Sequence, residues 1–337
     1  MSHPESEEAA GASGSRCQAD SRVEALLESR GRLGFGGMEL AGPPRSVELT
    51  DAESVKVLHA ALDLGINYFD TSIDYGRSEE RIGTAFRKKR DQVILATKCG
   101  CAVGDGQGEH ALHIFTPSNI RLGVAQSLRR LGTDYIDVMQ LHGNPTRKEL
   151  EEQGGLEALV ELQNQGMIRH LGLSTRKPYI QEFLDVDLLS VFQLPYSAIQ
   201  RQHEDIADSL SSRGKTVVAR GVVGRGSVAN SWSSIPIGMK FGQAQSVWEA
   251  AGIDEILGGM SRIEFMIRFA LTRSSLGICL IGTADVSHLE ENVRAAEKGP
   301  LSAELCDLAV ERLAQAGSFP GDADYSRGGP KPFLRPK

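Results

Sequence analysis

Through most of the chain, short apolar runs alternate with stretches whose apolar residues recur at helical spacing. The runs that read as strands fall at 68–70, 93–98, 136–142, 170–174, 191–196, 216–221 and 278–282, and the segment 32–40, RLGFGGMEL, opens the series with a short strand ending at Gly36-Gly37. Helical segments lie between them. Thr50, with Glu53 three residues on, forms a capping box ahead of Val55, Leu58, Ala61 and Leu62, and Gly65 supplies the stop. Residues 78–88 place Ile82 and Phe86 on one face. Thr116 and Pro117 open a helix over 117–131 with Ile120, Val124, Leu128 and Leu131 on one stripe. Helices over 156–165 and 204–213 end at Gly166 and Gly214. Another is expected over 262–272, and Ser302 caps an extra C-terminal helix running to Ala316, with Gly317 after it.

Alternation of this kind implies parallel strands joined by right-handed crossovers. Eight such units predict an α/β fold closed as a (β/α)8 TIM barrel. No sequence repeat accompanies the structural one. One connection breaks the rhythm: residues 222–261, after the seventh strand, are rich in Gly and Ser and hold both tryptophans, Trp232 and Trp248. A loop of that length is usually functional, and one that follows a strand belongs to the barrel's active face. Residues 1–28, opening on the acidic, small and polar run MSHPESEEAAGASGSRCQAD, are expected to be a disordered extension. The barrel then spans 29–317, and 318–337 forms a tail that is disordered or draped over the barrel mouth.

Composition narrows the function. A net charge of −7 leaves no basic surplus to neutralise phosphates, which argues against nucleic acid as a partner. No apolar run approaches the roughly 20 residues needed to cross a bilayer, and no basic start precedes an apolar core, so no membrane partner and a cytoplasmic setting are expected. The five cysteines (Cys17, Cys99, Cys101, Cys279 and Cys306) are an odd count without zinc-like pairing, so they read as reduced packing thiols with no metal site. His110 and His113, in the loop after the third strand, read as solvent-exposed residues.

In a barrel the working residues sit where strands end. Asp70 ends the second strand, Tyr75 lies in its loop, Lys98 ends the third strand and His142 the fourth. A lysine closing so apolar a run needs a counter-charge, which Asp70 can supply. Its cation near a phenol favours the phenolate, so Tyr75 is expected to have a lowered pKa and to act as proton donor and acceptor. His142 can orient a carbonyl or hydroxyl oxygen.

The stretch GINYFDTSIDYGRSE at 65–79, together with Lys98 in ATKCG and His142 in MQLHG, resembles the signature of the aldo-keto reductases, from about Arg32 to about Glu304. The resemblance implies an NAD(P)(H)-dependent oxidoreductase acting on a carbonyl or alcohol substrate, with Tyr75 as acid/base, Lys98 and Asp70 tuning it, and His142 positioning the substrate oxygen. It also implies cofactor contacts. Ser174 and Gln193 would hold the nicotinamide carboxamide. The run Gly221, Val222, Gly224 and Gly226 would lie at the pyrophosphate. Apart from the resemblance, the paired Gly36 and Gly37 let the backbone either pass close to a ligand or make a tight bend. Gly282, Thr283, His288, Glu291 and Asn292 would form the adenosine-phosphate clamp.

Three positions depart from the family pattern. Thr175 stands where an asparagine commonly follows the serine. Arg220 replaces an aromatic ring that stacks on the nicotinamide, a position where a guanidinium can also stack. His288 replaces an arginine often found in NADPH-preferring members. NADPH is the expected cofactor, with NADH possible. A cofactor-binding regulatory subunit and a redox-neutral epimerase or dehydratase are the alternative readings, and oligomeric state is not legible.

Overall fold

Residues 32–43, 45–103, 113–224 and 244–321 are described by the computed structural model. Their eight strands are β1 (Leu33–Gly36), β2 (Tyr68–Asp70), β3 (Ile94–Cys99), β4 (Ile136–His142), β5 (Ile168–Ser174), β6 (Leu189–Pro195), β7 (Thr216–Arg220) and β8 (Ile278–Ile281). All pair in parallel, in chain order, and β8 closes on β1. The predicted barrel is therefore the observed one.

Side chains alternate across each strand. One set (Tyr68, Ile94, Ala96, Val138, Val191, Val218, Ile278 and Leu280) forms a small cluster that fills the barrel. The intervening set, including Phe35, Phe69, Leu95, Met139, Leu171, Phe192 and Ile281, packs outward under the helices as the main core. Gly34 faces the inner set, where an added Cβ would stand 2.7 Å from Leu280 and 2.8 Å from Ile278. The inner apolar cluster leaves Asp70, Lys98, Gln140 and Gln193 as buried polar residues further along the same strands.

The helices are α1 (Asp51–Asp63), α2 (Ser78–Phe86), α3 (Pro117–Leu131), α4 (Arg147–Gln153), α5 (Gly155–Asn164), α6 (Glu204–Ser212), α7 (Ala244–Ala250), α8 (Arg262–Thr272), α9 (Val286–Glu297) and α10 (Ala303–Gln315). The Thr50–Glu53 capping box is present at α1, and Thr116, Ser261 and Ser302 cap α3, α8 and α10. The first strand ends at Gly36, as the paired glycines predict, and the chain turns into a 3-10 helix, Gly37–Leu40. The unit after β5 has a 3-10 turn, Tyr179–Phe183, where the other crossovers carry α-helices.

One expectation needs correction: the long connection after β7 is not a loop throughout. It holds α7 and a 3-10 turn, Ile253–Ile256. Trp248, expected with its loop on the active face, is 1 % exposed; its ring meets Phe265 edge-on at 5.6 Å and its indole N–H donates to Asp254 at 3.0 Å. It is a core residue because α7 turns that face against α8. Trp232, Gly226, His110, the extension 1–28 and residues 322–337 of the tail lie outside the described residues.

Candidate active site

The second strand delivers Asp70 to the barrel interior with 4 % exposure, and Lys98 at the end of β3 is fully buried beside it. Their ion pair measures 2.6 Å. The Asp70 carboxylate also accepts from Gln140 Nε2 at 3.0 Å and from Gln193 Nε2 at 2.7 Å, while Lys98 Nζ donates to the carbonyl of Thr71 at 2.6 Å. A buried pair persists only when such extra partners offset its desolvation. Burial pulls the Lys98 pKa down, but Asp70 and Tyr75 outweigh it and hold the ammonium above its ordinary value.

The loop after β2 then positions Tyr75. Gly76 makes the turn at φ 46°, a conformation that side chains resist. A Cβ there would stand 2.3 Å from the carbonyl oxygen of Ala41, so the tyrosine's neighbour has to be glycine. Lys98 Nζ lies 4.9 Å from the Tyr75 ring centre, and His142 meets that ring edge-on at 6.4 Å. Lys98 and His142 therefore flank Tyr75, and Asp70 is joined to the group through Lys98.

Burial is the largest influence on the Tyr75 phenol and leaves its pKa above the ordinary value; Lys98 opposes this but does not prevail, with Asp70 and Asp74 acting against it. The expected net lowering is thus corrected: the loss of water around the phenol outweighs the lysine cation. At neutral pH the group is a protonated donor. Burial likewise pushes His142 down to about 3, so its ring is neutral.

Several neighbours were missed in the sequence. Gln140 lies two residues before His142, on the same face of β4, and that period was its available signal. Asp74 is buried next to Tyr75, accepts from Ser72 Oγ, pairs with Arg45 at 2.8 Å and lies 3.7 Å from His142 Nδ1. Cys101 Sγ approaches the same Nδ1 to 3.1 Å.

The cofactor candidates divide into two groups. Ser174 and Gln193 face one another across β5 and β6, the serine donating to Gln193 Oε1 at 2.8 Å. The second amide hydrogen of Gln193 and the lone pairs of Ser174 Oγ leave capacity for a carboxamide, so this pair fits a nicotinamide. Thr175 Oγ1 instead donates to Asn144 at 3.0 Å. Gly37 is held by protein: a Cβ there would stand 2.7 Å from Ser78 Oγ and 2.9 Å from the Asp70 carbonyl oxygen. Arg220 ends β7, followed by Gly221 at φ 75°, buried Val222 and Gly224 at φ 56°. The space beside Gly221 is open to an added Cβ, which suits a loop that passes a ligand.

Around β8, Gly282 lies close to the Gly36 carbonyl and Thr283 is buried. Asn292 is buried on α9, whereas His288 and Glu291 are exposed. The α9 amides of Ser287 and His288 already donate to the carboxylate of Asp285 at 2.7 and 3.3 Å. The helix N-terminus expected to receive a phosphate thus carries an anion of its own.

Comparison with known proteins shows the family. The profile described as "Aldo/keto reductase family" matches residues 32–311. Pyridoxine 4-dehydrogenase of Escherichia coli (strain K12) is 31 % identical over 297 residues, covering 82 % of this chain and 93 % of the relative. The uncharacterised oxidoreductase YqkF of Bacillus subtilis (strain 168) is 31 % identical over 265 residues, with 75 % and 85 % covered. Among solved structures, the holo form of aldo-keto reductase AKR11C1 from Bacillus halodurans superposes with a TM-score of 0.72 at 29 % identity, covering 85 % of this chain and 93 % of that one. The glycerol dehydrogenase AKR11B4 from Gluconobacter oxydans gives 0.71 at 27 % identity, with 86 % and 94 % covered.

Proposed function

The chain belongs to the aldo/keto reductase family, NAD(P)H-dependent oxidoreductases, and we propose that it interconverts a small carbonyl compound and its alcohol with Tyr75 as the proton donor and acceptor. The observation that carries this reading is the buried Asp70–Lys98 pair beneath a half-buried tyrosine that a neutral histidine meets edge-on. The names of two relatives, pyridoxine 4-dehydrogenase and glycerol dehydrogenase, fit an alcohol–carbonyl pair.

The nicotinamide, when bound, supplies or accepts the hydride. Ser174 and Gln193 would orient its carboxamide, with Arg220 beside the ring. In the reducing direction Tyr75 gives its hydroxyl proton to the substrate oxygen, and burial keeps that proton in place until then. Lys98 stabilises the phenolate that results, because an adjacent cation favours the charged form. Asp70 acts through Lys98, holding the ammonium in position and charged. His142, being neutral, orients the oxygen by hydrogen bonding.

NADPH is the expected dinucleotide, through Thr283, His288 and the head of α9, with Glu291 and Asn292 toward the adenine. A second reading, NADH, is favoured by Asp285, whose carboxylate occupies amides that a 2′-phosphate would use. A cytoplasmic setting is expected, where thiols such as Cys279 and Cys306 stay reduced.

Purified protein incubated with NADPH or NADH and a panel of aldehydes and ketones tests the proposal. Net, substrate-dependent consumption of one cofactor is the expected result. Tight cofactor binding without consumption would instead indicate a regulatory subunit, and substrate conversion without net consumption a redox-neutral enzyme.

A further inference from the structure

We propose that Cys101, His113 and His142 form a binding site for a zinc-like divalent cation at the rim of the barrel. The sequence gives little sign of it, because the three residues are spread over the end of β3, the far side of its loop and the end of β4. The fold brings them together. Cys101 and His113 face each other in an antiparallel backbone bridge, reinforced by the Ile114 amide donating to the Gly100 carbonyl at 2.6 Å. His113 stacks on Phe115 with ring centres 6.4 Å apart, and it lies over Gly143, where an added Cβ would stand 2.7 Å from His113 Cδ2. The glycine after His142 therefore makes room for the second imidazole.

One donor atom from each of the three residues falls within 4.8 Å of the other two. The closest approach is 3.1 Å, between Cys101 Sγ and His142 Nδ1, and the two imidazole rings are perpendicular at 5.4 Å. Zinc bonds of about 2.0–2.1 Å to nitrogen and about 2.3 Å to sulfur place tetrahedral donors roughly 3.3–3.6 Å apart. Small side-chain adjustments bring this trio into that range. Two imidazoles and a thiolate suit a borderline-soft ion and exclude magnesium or calcium, which require oxygen donors.

The exposure also fits. Cys101 is fully buried, whereas His113 is exposed, so an ion is anchored from inside and its fourth position faces solvent. The Asp74 carboxylate, 3.7 Å from His142 Nδ1, supplies negative charge next to the cation. The site shares His142 with the proposed reaction, but the argument for it rests on the geometry of the trio alone.

Cobalt(II) is the probe, because a thiolate ligand gives it a charge-transfer band and a tetrahedral site gives it strong visible bands. Full-length protein, treated with chelator and kept reduced, is expected to bind one equivalent of cobalt with both signatures and to lose them when zinc is added. Cys101→Ser should abolish the charge-transfer band. His113→Asn should weaken binding by more than about tenfold, the loss that removing even an outer-sphere partner causes. Cys306→Ser, at a distant thiol, should leave both signatures intact. Circular dichroism of each variant verifies folding. Absence of the thiolate band in wild type, or its survival in folded Cys101→Ser, which would assign it to another cysteine, would overturn the proposed site.

Discussion

The two sides of the barrel mouth are prepared to different degrees. From β2 to β6, Asp70, Lys98, Gln140, Ser174 and Gln193 are buried and bound to one another through direct hydrogen bonds and an ion pair. From β7 to β8, Gly221 and Gly224 adopt left-handed backbone conformations, with open space beside Gly221, and His288 and Glu291 are exposed to solvent. The first side has its polar groups fixed before any ligand arrives, which is what proton transfer requires. The second side is shaped for a ligand that supplies many of its own contacts. Substitutions on the first side should therefore cost stability as well as activity, while those on the second should chiefly change affinity.

The largest expected effect on stability is at the ion pair. Lys98→Met leaves Asp70 buried with only amide donors and should cost about 3–5 kcal/mol. The double variant with Asp70→Leu should recover much of that loss. Urea denaturation of the four members of the cycle measures it; equal losses in the single and double variants would refute the coupling.

Acid should act on a neighbouring part of the same rigid side. His203 is 1 % exposed and accepts at Nε2 from the Lys177 amide at 2.9 Å, which requires an unprotonated nitrogen. Burial pushes it down to about 3. The unfolded chain then binds a proton below about pH 6.5 that the native state refuses, so stability falls as pH falls from about 6.5 toward about 3. The slope from this residue approaches about 1.4 kcal/mol per pH unit, and His142, also near 3, adds to it. Urea midpoints at a series of pH values should show the decline, and His203→Gln should make it shallower.

Gly76→Ala comes next. It forces a side chain into a left-handed turn against Ala41 and should cost about 1–3 kcal/mol. It should also lower kcat more than it raises KM, because it displaces Tyr75. The smallest effect is on the open side: His288→Arg should raise the preference for NADPH over NADH by roughly fivefold, the scale of an exposed ion pair. Ratios of kcat/KM with the two cofactors measure it, and stability should not change.

The same contrast accounts for what the sequence makes legible. The strands and most helix caps can be read because they depend on local patterns, as at Thr50–Glu53 and Thr116–Pro117. Strand-terminal Asp70, Lys98 and His142 can be read because barrel closure places strand ends around one mouth. The bonds of Gln140 and Gln193 to Asp70 join residues 70 and 123 positions apart, and the facing partners emerge only once tilt and register are known. Trp248 was misplaced because its Gly- and Ser-rich surroundings suggested an open loop, while α7 buries it against Phe265. Cys101 and His113 are twelve positions apart, and the antiparallel bridge that sets them face to face has no local sequence signal. The phenol of Tyr75 was misjudged because a sequence shows the charge nearby but not the water removed.

The most direct test of the account compares Tyr75→Phe with wild type, measuring cofactor affinity by fluorescence titration and turnover with a carbonyl substrate accepted by the wild type. The account predicts an unchanged fold and cofactor affinity, with turnover reduced by at least about 10²–10⁴-fold, the usual contribution of a positioned acid. A Tyr75→Phe enzyme that binds the cofactor and turns over at the wild-type rate would contradict it.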